Sequence, residues 1–411
     1  MFKQIKSKNS IIQLIGLLYI ATIAFNMLYR TDNFHAGFLM NIRYPYLLLL
    51  LLYFLSSFRG VVPGKPFIMM SFLMVHSILF GFVFINNQVK ALTFDHGKEM
   101  VIYTLMIFLT SYFVWSQGLF FDFMAWNFWT TAAVLLRAGI THTSHFVNPV
   151  LFVHVFAENH SFRSTFGFGH ANFTGNMCVF AIAYSIFLLE EIRREGKVKY
   201  MLDDRYVRAI VITDILIGEI LLSTQSRTSI LAGILFAGVY IFYNWNDVFK
   251  LPYRARAALS YLAVILFVVF IAAGGPAHIW EGAHRADNVT VNYPLFKLFS
   301  PWTGMGYIPP YGFYTQVYGL PTFALDIYYL YIFFATGYLG SILIVGMLLT
   351  ALFFIIRIRN NDKKILAIAL YASMMLTGIG QTSMVVYTLL SSMINWTIIC
   401  VAVSPELKKD L

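Results

Sequence analysis

Apolar residues run along this chain in long continuous blocks, not in the two-residue alternation of half-buried strands or the one-sided stripes of surface helices. Twelve blocks are found, at 10 to 29, 44 to 58, 67 to 85, 99 to 117, 119 to 137, 171 to 190, 207 to 223, 228 to 245, 258 to 275, 326 to 356, 365 to 383 and 385 to 403. A helix needs about 20 residues to cross the ~30 Å hydrocarbon core of a bilayer, so each block predicts a membrane-spanning helix. The weakest are 44 to 58, which is short, and 119 to 137, which Asp122 and Asn127 interrupt. Strands of a membrane barrel alternate over about ten residues, and these blocks do not. The expected fold is all-α: a polytopic integral membrane protein of about 12 transmembrane helices, forming a single transmembrane domain over 1 to 411. One long extracytoplasmic loop, 276 to 325, is inserted in it.

Composition agrees with the pattern. Of 411 residues, 59% are apolar and 12% charged, which excludes an ordinary soluble domain. The first block follows Lys3, Lys6 and Lys8, is too long for a signal segment and lacks a small-residue cleavage site, so it is expected to be a span. Charge then sets the orientation. With the N-terminus cytoplasmic, the inner segments hold 20 of the 29 Lys and Arg, a positive-inside bias that predicts both termini in the cytoplasm. The net charge of +10 is accounted for by topology and attraction to anionic lipid, with no nucleic acid as partner. Cys178 and Cys400 fall in expected spans near opposite faces, so neither a disulfide nor a metal framework is expected.

This topology gathers the polar chemistry on the outer face. Nine of the ten histidines lie in outer segments or at their edges, His76 being the exception. The loop at 276 to 325 is rich in Trp, Tyr and Phe and poor in charge, which argues against disorder. Connections of that length serve a function when they are ordered. Its aromatic and Gly-Pro rich surface suits carbohydrate, whose apolar ring faces stack on aromatic planes; an interfacial aromatic belt is the plainer alternative.

Three arginines oppose the positive-inside bias: Arg163 in HSFRSTFGFGHANFTG, Arg227 in LLSTQSRTSIL and Arg285 in EGAHRADN. Arg227 lies in a turn of a few residues between two spans, where a guanidinium is costly unless an anion or carboxylate partners it. Snorkelling to lipid headgroups is the alternative. Three arginines converging from separate loops would hold a diphosphate bidentately and without a metal. Asp214 and Glu219, five residues apart in the seventh block, do not share a helix face. Asp326, at the outer start of the tenth block, is better placed for chemistry, or caps that helix. The sequence GFGHAN begins like a dinucleotide fingerprint but ends on Asn172 with no strand before it, so nucleotide binding is not expected.

Taken together, RSTFGFGHANFTG, SRTSIL one span later, GMGY in the long loop and LDIYYLYIFFATGYLG after it resemble the O-antigen polymerase and ligase superfamily, in particular Wzy-type capsular or exopolysaccharide polymerases. The likeness covers roughly residues 160 to 345. It implies a glycosyltransferase of the bacterial plasma (inner) membrane that acts on the outer leaflet. Such an enzyme transfers a growing glycan from a polyprenyl diphosphate to the distal sugar of a single lipid-linked repeat unit.

The implied partners are the lipid-linked oligosaccharide, the bilayer, a flippase and a chain-length regulator, with no cofactor and no metal. Carried over residue by residue, the resemblance implies Arg227 in SRT, His170 and Asn172 in the GF-H-N pattern, and Arg285 in the loop. Ala171 stands where the family often has proline, which changes how the helix starts. Ser226, Gly304 and Gly306 accompany these residues as substrate-binding candidates.

A polyprenyl diphosphate is already a good leaving group, so cations to hold the departing charge suffice. A base must reach the acceptor hydroxyl, and His284, His170, Glu281 and Asp326 are the candidates, His284 by preference. Two alternatives remain open: a ligase of the same superfamily, which moves a finished glycan to another acceptor, and a transporter or flippase for the lipid-linked oligosaccharide. The latter should place charge along a central path on both faces.

Overall fold

The computed structural model describes residues 10–29, 31, 37–58, 63–84, 90–146, 164–194, 204–249, 293–294, 296–306, 328–380 and 390–405. Among them the structure is helical, with no strand. The helices are α1 (Ser10–Tyr29), α2 (Arg43–Ser57), α3 (Gly64–Ile78, extended by a π turn, Leu79–Val83), α4 (Lys90–Ser116), α5 (Phe120–Thr141), α6 (Ala171–Arg194), α7 (Arg205–Thr224), α8 (Arg227–Phe249), α9 (Tyr328–Ile356), α10 (Asn361–Gly380) and α11 (Leu390–Val403).

Six of these segments are long and apolar enough to cross a membrane: Ser10–Tyr29, Gly37–Ser57, Gly64–Val83, Gly97–Ser116, Ala171–Arg193 and Tyr328–Ile356. Arg227–Tyr243 and Ser392–Val403 are apolar but shorter. Helices α5, α7 and α10 overlap the expected blocks at 119 to 137, 207 to 223 and 365 to 383, of which 381–383 lie outside the described residues, and carry more polar residues, among them Asp122, Asn127, Asp214, Glu219, Lys363 and Lys364. The expected block at 258 to 275 lies outside the described residues, as does the loop at 276 to 325 apart from 293–294 and 296–306.

Local chemistry sets the helix ends. Gly118, at φ 65°, turns the chain between α4 and α5, with the Leu119 N–H closing on the Val114 carbonyl at 3.0 Å. A side chain at that φ would be strained, which is why glycine stands there. Asp204 caps α7 by accepting from the Tyr206 N–H at 2.7 Å. Asn360 accepts from the Asp362 and Lys363 N–H groups at 3.1 and 3.2 Å to start α10. Each cap satisfies backbone donors that a helix start leaves unpaired.

The chain separates into two compact units, one formed by Met1–Met70, Ile102–Gly233 and Thr388–Leu411, the other by Ser71–Val101 and Ile234–Tyr387. In the first, α6 packs between α5 and α7, and α1 lies against α2 and α5. Its helices are stitched by buried polar pairs: Tyr19 OH donates to Asn127 Oδ1 at 2.7 Å, Tyr184 OH to Asn395 Oδ1 at 2.6 Å, and Tyr46 and Thr110 share a hydroxyl bond of 2.7 Å. Such bonds favour specific helix pairs where lipid removes the usual hydrophobic advantage of association. In the second unit α9 packs on α10, and Tyr371 OH donates to the Leu348 carbonyl between them at 2.9 Å.

Candidate functional site

The described candidates in the first unit meet where α6 and α8 begin. Two breaks in helical backbone create the meeting point. Before α6, Phe166, Gly167 and Gly169 all have positive φ (51°, 77° and 72°), so the FGFG stretch is a tight turn and not a strand-to-helix loop. Between α7 and α8, Gln225 takes the left-handed conformation at φ 50° and its N–H closes on the Leu222 carbonyl at 3.1 Å. The chain thus reverses within two residues and α8 starts at Arg227.

Ser226 caps α8, its Oγ accepting from the Ser229 N–H at 3.3 Å. The same hydroxyl donates to Asn172 Oδ1 at 2.8 Å and lies 2.7 Å from Ser229 Oγ. Ser229 Oγ in turn reaches the Asn172 carbonyl at 3.2 Å and Asn176 Oδ1 at 2.8 Å. This network ties the first turn of α6 to the first turn of α8 across more than fifty residues of sequence. Gly175 makes the closeness possible, since a Cβ there would stand 2.6 Å from Ser229 Oγ and 3.1 Å from Ser226 Cβ. Ser226 and Ser229 are fully buried.

The cap of α6 is His170 and not Asn172. The Asn172 N–H donates to His170 Nδ1 at 3.2 Å, the geometry of an N-cap to its second helical residue. Asn172 is thereby released to hold Ser226. An imidazole that accepts at Nδ1 carries its proton at Nε2 when neutral. The exposed His170 ring therefore offers a donor.

Arg227 stands at the first helical position of α8. Aligned peptide dipoles place roughly half a positive charge at each helix start, which disfavours a cation there and favours an anion. Neither α6 nor α8 has an acidic residue in its first turn. The starts of α6 and α8, with Arg227, are held side by side, and helix starts are places where anions bind.

Two residues that sequence reasoning missed complete this corner. His142 and His145, at the end of α5, meet with their rings tilted by 45° and their centres 5.1 Å apart. His142 packs on the turn so tightly that a Cβ on Gly167 would meet its Cε1 at 2.6 Å. His145 lies 5.7 Å from the buried Phe166 ring, and its backbone carbonyl accepts from Ser164 Oγ at 2.6 Å. His145 Nδ1 is buried with no hydrogen-bond partner in the structure. The signal was the spacing in THTSH, two histidines three residues apart at a helix end.

The other described candidates, Gly304 and Gly306, lie in the second unit and serve a different purpose. Helix α9 is broken at Gly337 (φ 61°, ψ −159°). The segment Pro301–Gly306 docks into the break through its backbone. The Met305 and Gly306 N–H groups donate to the Phe334 and Ala335 carbonyls at 2.9 and 2.8 Å, and the Tyr338 and Leu339 N–H groups donate to the Pro301 and Trp302 carbonyls at 2.9 and 3.1 Å. Gly304, at φ 68°, leaves its Cβ position 2.6 Å from the Ala335 carbonyl. The glycines of GMGY thus admit the protein's own backbone.

Arg163, Arg285, His284, Glu281 and Asp326 lie outside the described residues. The structure therefore brings together His170, Asn172, Ser226 and Arg227, and places Gly304 and Gly306 at a separate helix break. No protein-family model matches the chain, and no curated protein matches it.

Proposed function

We propose that the chain is a membrane glycosyltransferase that polymerises polyprenyl-diphosphate-linked oligosaccharide repeat units into surface polysaccharide on the outer leaflet of the bacterial plasma membrane. The observation that carries this reading is the Ser226–Asn172 hydrogen bond of 2.8 Å. It sets Arg227, the first residue of α8, beside the start of α6, so a guanidinium and two positive helix ends converge where a diphosphate would bind. In the proposed topology of twelve spans with both termini cytoplasmic, this corner faces outward, together with Arg163 and the loop at 276 to 325.

The reaction is a single displacement. The acceptor hydroxyl oxygen bonds to the anomeric carbon of the donor glycan as the bond from that carbon to the diphosphate oxygen breaks. The hydroxyl proton passes to a base, His284 by preference, and the polyprenyl diphosphate leaves with the bonding pair. Arg227, with Arg163 and Arg285, holds the charge that develops on the leaving group, and preorganised donors at such a site favour the transition state over the ground state. A neutral His170 donating from Nε2 fits a role on a phosphate or sugar oxygen better than that of the base.

A ligase would share the donor site and differ only in acceptor. A transporter would call on broken helices with open backbone groups at the substrate, whereas four backbone groups flanking the break in α9 are bonded to Pro301–Gly306.

The deciding experiment incubates purified full-length protein with a polyprenyl-diphosphate repeat unit and chelator, and resolves the glycan by gel. The expected product is a ladder of increasing length; unchanged single units from a verified substrate would overturn the proposal. Arg227→Lys keeps the charge but loses the planar fork. With about 1.5–3 kcal/mol for a charged hydrogen bond, chain formation should fall roughly 10- to 100-fold at unchanged expression.

A further inference from the structure

The break in α9 also separates two different kinds of helix surface. After Gly337 the exposed large apolar residues are Tyr338, Ile342, Val345, Leu349, Phe353 and Ile356. Their spacing of three and four residues draws one continuous stripe down one side of a straight helix. At ~1.5 Å per residue the stripe is about 27 Å long, close to the ~30 Å of a hydrocarbon core. Before the break the helix is different. Tyr328, Tyr331, Ile332, Phe334, Ala335 and Thr336 are buried in the protein, and no such stripe continues across Gly337.

Each end of the stripe carries the residues that favour a membrane surface. At the far end the Arg357 guanidinium lies over the Phe353 ring at 3.9 Å. At the near end Trp302, 63% exposed, meets the Tyr338 ring edge-on at 5.7 Å. Five residues earlier the exposed Lys297 places its ammonium 4.8 Å from the Tyr293 ring centre. Tryptophan and tyrosine gather at headgroup level, and lysine reaches from there to lipid phosphates.

We propose that Gly337 lies at a membrane interface and that the docked segment 296–306 is a lipid-binding element. Trp302 inserts at headgroup level, Lys297 contacts the phosphate of an anionic phospholipid, and the true span is Tyr338–Ile356. The apolar block at 326 to 356 is then one span preceded by a nine-residue helical piece packed on the protein. The occupant of the exposed surface is the bilayer, because the stripe matches its thickness and both ends carry the matching anchors.

The test places the full-length protein in nanodiscs of phosphatidylcholine with phosphatidylglycerol. Spin labels go on Trp302→Cys, Leu298→Cys, Ile342→Cys and Val345→Cys, all at exposed positions, while the native Cys178 and Cys400 are fully buried. Labels at 302 and 298 should report the phosphate level. The label at 345 should lie about 12 Å deeper than the break, eight residues down the helix at ~1.5 Å each.

A label at 302 as deep as that at 345, or one freely in water, would overturn the proposal. A second measurement leaves Trp302 in place: lipids brominated near the glycerol should quench wild-type fluorescence more than they quench Trp302→Phe, and lipids brominated near the chain end should not separate the two. Equal shallow quenching of both proteins would also overturn it. Neither measurement depends on the proposed enzymatic activity.

Discussion

The start of α8 and the break in α9 are built from the same materials and do opposite things. Both join a glycine-containing turn to helix ends, and both use positive φ where the chain reverses, at Gly167, Gly169 and Gln225 in one and at Gly304, Gly306 and Gly337 in the other. At α8 the closure is made by side chains, with Ser226, Ser229, Asn172 and Asn176 sharing hydroxyl and amide bonds. Those groups are neutral, so they fix geometry without adding charge to it. At α9 the closure is backbone on backbone, which fixes geometry and brings no charge. A glycine-rich motif near a membrane surface thus signals close approach, and only the groups around it say whether a ligand or the chain itself is being approached.

The largest effect is expected at Gly337. A Cβ there would stand 2.4 Å from the Pro301 carbonyl oxygen and 2.6 Å from Trp302 backbone carbon, at a φ that alanine adopts poorly. Gly337→Ala should cost about 3 kcal/mol or more, since backbone cannot move aside. A marked fall in the thermal unfolding midpoint of the purified protein would show it; an unchanged midpoint would mean that Pro301–Gly306 is not docked there.

Gly175→Val should cost less, about 1–3 kcal/mol, because the group it meets first is the Ser229 side chain. Adding Ser229→Gly to it should recover part of the loss in a double-mutant cycle, whereas strictly additive effects would separate the two residues.

Asn172 distinguishes shape from charge. Asn172→Ala leaves the buried Ser226 hydroxyl without that acceptor and should cost about 1 kcal/mol. Asn172→Asp keeps the acceptor and adds a negative charge at two helix starts, so it should match or exceed wild-type stability. It should nevertheless slow chain formation, since a fixed carboxylate competes with the diphosphate. Wild-type activity in Asn172→Asp would argue that no anion binds at this corner.

The smallest effect is expected at Ser300, whose Oγ accepts from the Trp302 N–H at 3.3 Å. Because backbone bonds hold the segment, Ser300→Ala should change stability by less than about 1 kcal/mol. A large loss would mean that side chains hold the break as they hold α8.

Much of the helical layout was legible because hydropathy and helix periodicity are local properties. Helix α1 coincides with the first apolar block, and α6 begins at the residue where the sixth block begins. The polar stretch before α6 was recognisable as chemistry for the same reason, since His170, Asn172 and three glycines interrupt an apolar pattern. Arg227 was legible because a charge in so short a turn has nowhere to go.

Other features depended on partners far away in sequence. The block at 326 to 356 reads as uninterrupted helix, since apolar residues dominate on both sides of Thr336 and Gly337 and no charge marks the break. Its cause lies thirty-odd residues earlier, in a segment whose backbone supplies the missing hydrogen bonds. His142 and His145 likewise look like loop residues until the FGFG turn folds onto them.

By itself, then, the sequence determined where most of the described helices lie, where polar groups interrupt them, and that Arg227 stands at the junction of two of them. Hydrophobicity and backbone propensity act over a few neighbouring residues, so one dimension suffices. Only the tertiary structure decided that Ser226 meets Asn172, that His170 and not Asn172 caps α6, and that the glycines of GMGY face a helix break. Each of those outcomes is a competition among several possible hydrogen-bond partners, and it is settled by which helices pack together.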